Sequence, residues 1–219
     1  MHKPSKKPWP TKDAMQQVYK KNLWGGQATT FYSGNGSHDP KTVQLYLETV
    51  TSFFKTLENP PVVCDLGCGD FNIGKELVSY AKAYKAVDIV PELIAYNIKS
   101  FQKPKLTFDT LDLAKDPLPR GDCALLRQVL QHLSNAEIQP IVKKLYAFKY
   151  VILTEHLPNQ EFEPNKDIIS GQGIRLKKQS GVDLLAPPFN FKVKEHKQIL
   201  DIPAPGGKGK LLTTLYTVF

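Results

Sequence analysis

The sequence predicts an α/β protein built on a doubly wound, mainly parallel sheet. Apolar runs too short for helices alternate with longer segments of helical spacing. The first of these runs meets a tight glycine turn, and the chain closes on two strand-like runs joined by Pro- and Gly-rich residues. With 219 residues, 41% of them hydrophobic and 23% charged, the chain is long enough to bury one sizeable core, and a single domain is the expectation.

Residues 1–40 read as a basic tail and a lid-like segment, and residues 41–219 as the folded domain. Asp13 to Leu23 has the pattern of a short helix, and the stretch from Trp24 to Pro40 is rich in turn formers. Val43, Leu45, Tyr46, Leu47, Val50, Phe53, Phe54 and Leu57 then form a broad helical face that ends before Asn59-Pro60-Pro61 and should cover the sheet. Val62 to Leu66 is the first predicted strand, Ile73 to Lys82 its helix, Lys85 to Ile89 the second strand and Pro91 to Phe101 the next helix, with Pro91 suited to a first turn. Leu106 to Leu111, Cys123 to Arg127 and Tyr150 to Thr154 are strands three to five, with a helix within Ala136 to Phe148. Glu155 to Asn190 is longer than a simple connection needs, which often marks function. Phe191 to Leu200 and Lys210 to Phe219 complete the chain as a hairpin.

The string Val62-Val63-Cys64-Asp65-Leu66-Gly67-Cys68-Gly69-Asp70-Phe71-Asn72-Ile73-Gly74 is the most informative. Carboxyl ends of parallel strands line the ligand crevice, and a glycine turn there lets backbone approach a ligand. A dinucleotide site would place a third glycine where Asn72 stands, and Asp65 would repel a pyrophosphate. Asp65 suits instead a ligand that carries an ammonium group and no phosphate, such as S-adenosylmethionine. Asp88 ends the second strand 19 residues beyond Gly69, where a carboxylate can accept from both ribose hydroxyls. Asp112, after strand three, either accepts from an adenine amino group or caps its own loop, and Leu113 can cover the ring.

The Asp65-Leu66-Gly67-Cys68-Gly69 turn, Asp88 and Asp112 together resemble the class I S-adenosylmethionine-dependent methyltransferases over about residues 40–219. The strings Asp112-Leu113-Ala114-Lys115-Asp116-Pro117-Leu118-Pro119 and Arg127-Gln128-Val129-Leu130-Gln131-His132-Leu133 also resemble the adenine-binding and post-strand-four segments of bacterial members. The resemblance implies a Rossmann-like seven-stranded sheet of order 3-2-1-4-5-7-6 with the last strand antiparallel. It implies cofactor contacts at Asp65, Gly67, Cys68, Gly69, Asp88, Ile89, Asp112, Leu113, Arg127 and Gln128. The segments Trp24-Gly25-Gly26 and Tyr32 to Ser37 resemble stretches that lie over the cofactor in some bacterial members.

Methyl transfer needs alignment more than it needs a catalytic group. If the acceptor must lose a proton, His132, Glu155 and His156, all near the ends of strands four and five, are the candidates. Gly171-Gln172-Gly173-Ile174-Arg175 reads as a mobile lip whose arginine is either available to an anionic group or, as expected, solvated. Pro187-Pro188-Phe189-Asn190 is only superficially like the motif of amino-group methyltransferases, which belongs after strand four. A small-molecule acceptor, methylated on O or N, is the expectation; RNA or protein methylation, and a non-catalytic module that only binds S-adenosylmethionine, are the alternatives.

The formal charge of +8 leaves nucleic acid as a possible partner. Part of that charge is a tail in which Lys3, Lys6, Lys7, Lys12, Lys20 and Lys21 face one acid, Asp13, before residue 24. Cys64, Cys68 and Cys123 suit free thiols in a reducing compartment, and Cys64-x-x-x-Cys68 has no matching second pair for a metal. No apolar run reaches the roughly 20 residues a bilayer requires, and no secretory signal is evident, so a soluble cytoplasmic protein is expected.

Overall fold

The computed structural model describes residues 9–27 and 30–219; Lys3, Lys6 and Lys7 of the basic tail lie outside them. Seven strands form one sheet: β1 (Val62–Leu66), β2 (Ala83–Asp88), β3 (Leu106–Thr110), β4 (Cys123–Arg127), β5 (Tyr150–Leu157), β6 (Glu195–Pro203) and β7 (Lys210–Thr217). Their order is β3-β2-β1-β4-β5-β7-β6. The first five pair in parallel, and β7 runs antiparallel between β5 and β6.

Both faces of the central strands are buried, and period-two alternation sends their side chains into two cores. Cys64, Leu66, Ala124, Leu126, Val151 and Leu153 pack against Ile138, Ile141, Val142 and Leu145 of α5 (Asn135–Leu145). Val63, Tyr84, Ala86, Cys123, Leu125 and Ile152 face Tyr46, Val50 and Phe54 of α2 (Pro40–Thr56). The start of α2 is written locally: Asp39 accepts a hydrogen bond from the Thr42 amide at 2.8 Å, and Pro40 occupies the first turn, where a missing N–H costs nothing. Cys64 and Cys123 are free thiols within the two cores.

Three expectations need correction. The helix expected over Ile73 to Lys82 is only α3 (Gly74–Leu77) followed by a 3₁₀ turn (Val78–Tyr80), so β2 starts at Ala83. Leu77, Val78 and Ala81 are buried in the core that α2 covers. The strand expected from Phe191 begins at Glu195, because Phe191 is still part of the incoming connection and packs on Tyr146 and Tyr216. β5 extends to Leu157, three residues beyond expectation, held by antiparallel pairing with β7 as far as Lys210.

Two further helices complete the chain: α1 (Thr11–Lys20), where the sequence suggested a helix, and α4 (Pro91–Ser100). Among the described residues no helix is long and apolar enough to cross a membrane.

Candidate functional site

The carboxyl ends of β1, β2 and β4 open onto a cavity of about 360 Å³. Gly67 and Gly69 make its floor with φ of +88° and +56°, the left-handed region that side chains rarely adopt. The amides of Gly67 and Cys68 both donate to the Val87 carbonyl, at 2.8 and 2.9 Å, which ties the turn to β2. A Cβ on Gly67 would sit 2.5 Å from Val129 Cγ2, so the close approach of the turn to the post-β4 segment requires its absence.

Asp65 and Asp88 reach the same cavity from neighbouring strands. Asp88 Oδ2 accepts from the Gly69 amide and Oδ1 from the Val90 amide, both at 3.1 Å. Asp65 Oδ2 accepts from the Tyr84 hydroxyl at 2.9 Å. Burial pushes both carboxyls up, Asp65 to about 7 and Asp88 to about 6, against partial compensation from those hydrogen bonds. Each carboxylate therefore gains from a ligand that brings donors or positive charge.

Arg127 supplies the opposite sign at the end of β4. Its guanidinium lies 4.9 Å from the Tyr46 ring centroid and donates to Ser37 Oγ at 3.1 Å and to the Gly36 carbonyl at 2.5 Å. Its buried Nε has no partner. Gln128, with φ +58°, follows it into the cavity and accepts from Arg127 at 3.2 Å. Ile89 and Leu113 form apolar walls and Cys68 lines the turn. Asp112 is also in the wall, but it caps its own loop: Oδ1 accepts from the Ala114 amide at 3.0 Å, and Oδ2 pairs with Lys115 at 2.8 Å.

The region before α2 closes the cavity from above. Thr11, Met15 and Tyr19 of α1, with Trp24, Ser33, Gly34, Gly36 and Ser37, all line it. Asp70 latches this cover down: Oδ2 accepts from the Ser33 amide at 2.8 Å and contacts His38 Nε2 at 2.6 Å, while the Asp70 amide donates to Ser33 Oγ at 2.8 Å. Tyr32 stacks on His38 with centroids 4.2 Å apart. Asp70 and His38 were not singled out in the sequence, and Ser33 was named only as part of the Tyr32 to Ser37 stretch. A carboxylate directly after the glycine turn was the available signal; the resemblance of Tyr32 to Ser37 to covering segments pointed to the region of Ser33 but not to its pairing with Asp70.

Of the three candidate bases only His132 lines the cavity. It packs against Trp24 at 5.0 Å between centroids, and burial lowers its pKa to about 4, so it is neutral near pH 7. Glu155 and His156 are corrections. Glu155 is only 2% exposed and projects to the α5 side of the sheet with Leu153, because side chains alternate along β5. His156 points the other way, but its Nε2 is bound to the Lys208 carbonyl at 2.5 Å beside the β7 hairpin. Arg175 is also corrected: it is 1% exposed rather than solvated.

This fold is shared with known structures. An N-methyltransferase, NodS from Bradyrhizobium japonicum WM9 in complex with S-adenosylhomocysteine, superposes with a TM-score of 0.62 at 11% identity, over 94% of this chain and 99% of that one. Magnesium protoporphyrin IX methyltransferase from Synechocystis PCC 6803, with bound S-adenosylmethionine, gives a TM-score of 0.58 at 16% identity over 95% and 97%. This is the class I methyltransferase fold. Human acetylserotonin O-methyltransferase is 32% identical over 90 residues, and its bovine counterpart 28%. The match covers 39% of this chain and spans about a quarter of the length of those relatives, 26% of each. No family model matches the chain. In the class I methyltransferase fold the cavity occupies the crevice where the strand order reverses, between β1 and β4.

Proposed function

We propose that this chain is an S-adenosylmethionine-dependent methyltransferase that moves a methyl group to an O or N atom of a small molecule by in-line displacement. The observation that carries the reading is the pairing of opposite charges around one glycine bend: Asp65 and Arg127 flank Gly67, and Asp88 sits at Gly69. A ligand with an ammonium and a carboxylate at one end and a diol further along meets a complementary group at each point.

When bound, S-adenosylmethionine supplies a methyl carbon already activated by sulfonium. Asp65 would receive its ammonium and Arg127 its carboxylate, and Asp88 would accept from its ribose hydroxyls. Asp112, Leu113 and Ile89 would surround the base. The cover of α1, Trp24 and Ser33 to Ser37 would limit water around a bound cofactor, which suits a reaction that depends on alignment. His132 is neutral near pH 7, and its one acceptor nitrogen, Nε2, already faces the Gln131 amide at 3.2 Å, so it is poorly suited to remove a proton from an unactivated acceptor. The fold is shared with an N-methyltransferase and a short stretch of sequence with an O-methyltransferase, so both atoms stand as targets.

Saturation with S-adenosylhomocysteine at 100 times its dissociation constant should stabilise the protein by roughly 2.7 kcal/mol in chemical denaturation. Methyl transfer to members of a small-molecule pool supports the reading. A stability shift with transfer to RNA alone would replace the small-molecule acceptor, and no shift at all would remove the cofactor.

A further inference from the structure

Among the described residues Arg175 is the largest fully buried side chain, and it lies outside the cavity. All five of its guanidinium donors are directed at acceptors. Nε donates to the Lys166 carbonyl at 3.1 Å; Nη1 to Leu130 and Gln131 carbonyls at 3.2 and 3.4 Å; Nη2 to the Leu133 carbonyl and Asn135 Oδ1, each at 2.8 Å. Three of the five acceptors belong to the turn that follows β4, and a fourth, Asn135, opens α5 directly after it. That turn carries Gln131, His132 and Leu133 into the cavity wall.

The same connection that delivers Arg175 also sets the state of His132. His132 Nδ1 faces the carbonyls of Gly171 and Gly173 at 3.2 and 3.3 Å, and carbonyls only accept, so Nδ1 carries the proton. Gln131 Oε1 accepts from the His156 amide at 3.1 Å, which turns the Gln131 amide nitrogen toward His132 Nε2 at 3.2 Å. Nε2 is thereby left as a hydrogen-bond acceptor. Glu155 is buried on the same side with no hydrogen bond on either oxygen, and burial pushes its carboxyl up to about 8 although the Arg175 charge opposes the shift.

We propose that Arg175 is a positioning residue: by clamping the post-β4 turn to the long connection after β5, it holds His132 in the cavity as a fixed, Nδ1-protonated hydrogen-bond acceptor. Its bearing on catalysis rests on the methyltransferase reading; its effect on the His132 ring does not. A planar fork with five filled donors cannot be replaced by an ammonium. Glycine at 171 and 173 gives the connection little rigidity of its own, so the clamp supplies it.

The test is the ¹⁵N spectrum of the His132 ring at pH 7 without ligand, assigned by its loss in His132→Gln. The wild-type ring should be a single Nδ1–H tautomer. In Arg175→Lys it should become a mixture of tautomers, with the dissociation constant for S-adenosylhomocysteine raised about tenfold, as for loss of buried charge-assisted hydrogen bonds. Arg175→Met combined with Glu155→Gln removes the buried guanidinium together with the carboxyl it opposes and should give the same mixture of tautomers as Arg175→Lys. Asn135→Ala withdraws one acceptor, leaves the guanidinium in place, and carries the reading at smaller amplitude if the Arg175 variants do not fold. An unchanged single tautomer in any folded variant of this set overturns the proposal. A mixed ring in a protein whose wild type never binds S-adenosylhomocysteine removes the methyltransferase reading and leaves the clamp.

Discussion

Two pairs of titratable residues stand at strand ends in this molecule, and only one pair serves the cavity. Asp65 and Asp88, on β1 and β2, converge on the Gly67–Gly69 turn. Glu155 and His156, consecutive on β5, diverge to opposite faces and away from it. A strand end matters for ligand binding only next to the point where the order reverses, and only when its residue points along the crevice rather than into a flanking layer. β5 lies one strand beyond that point, and antiparallel pairing with β7 covers its tip.

The largest effect expected from breaking this contrast is at Asp88. Asp88→Ala removes the acceptor held between the Gly69 and Val90 amides and should weaken S-adenosylhomocysteine binding about 100-fold by calorimetry, the size of a lost hydrogen bond to a charged group. In the wild type the affinity should fall as pH drops through about 7 and then about 6, because burial raises Asp65 and Asp88 to those values and the ligand's donors need the anions. Second is Gly67→Ala. With φ at +88° and Val129 at 2.5 Å from the new Cβ, it should cost about 1–3 kcal/mol in urea unfolding.

A smaller effect is expected at the latch. Asp70→Asn weakens the hold on Ser33 and His38, and stopped-flow dissociation of S-adenosylhomocysteine should quicken about fivefold. Smallest for binding is Glu155→Gln, which should leave that affinity within about twofold. It should change the pH dependence of stability instead. Burial raises the folded-state pKa of Glu155 from 4.5 to about 8, so the folded protein keeps a proton that the unfolded chain loses, and stability from this group falls as pH rises from about 4.5 to 8. Glu155→Gln should flatten melting temperature against pH over that window.

The contrast also separates what the sequence made legible from what it concealed. The alternating elements and the turn at Gly67 and Gly69 were readable because they are local: apolar runs buried on both faces, and a turn only glycine tolerates. The approach of Asp88 to that turn followed from the adjacency of consecutive parallel strands. Glu155 was misplaced because the parity of a strand shows which residues share a face but not which face meets the cavity. Arg175 was misread because charge argues for solvent, and the five acceptors that overturn that rule come from Leu130 to Asn135 and Lys166, which the sequence does not bring together. The covering role of Thr11, Met15 and Tyr19 likewise depends on packing that helical spacing alone does not specify.

The central claim, an amino-acid-bearing nucleoside gripped at the Gly67 bend, is tested most directly by titrating two ligands into two proteins. S-adenosylhomocysteine carries the amino-acid tail and 5′-methylthioadenosine lacks it; each is measured calorimetrically with the wild type and with Asp65→Asn. The account predicts that Asp65→Asn weakens S-adenosylhomocysteine about tenfold, as for one charge-assisted contact, and leaves 5′-methylthioadenosine within about twofold. Equal weakening of both ligands, or no binding of either by the wild type, would contradict it.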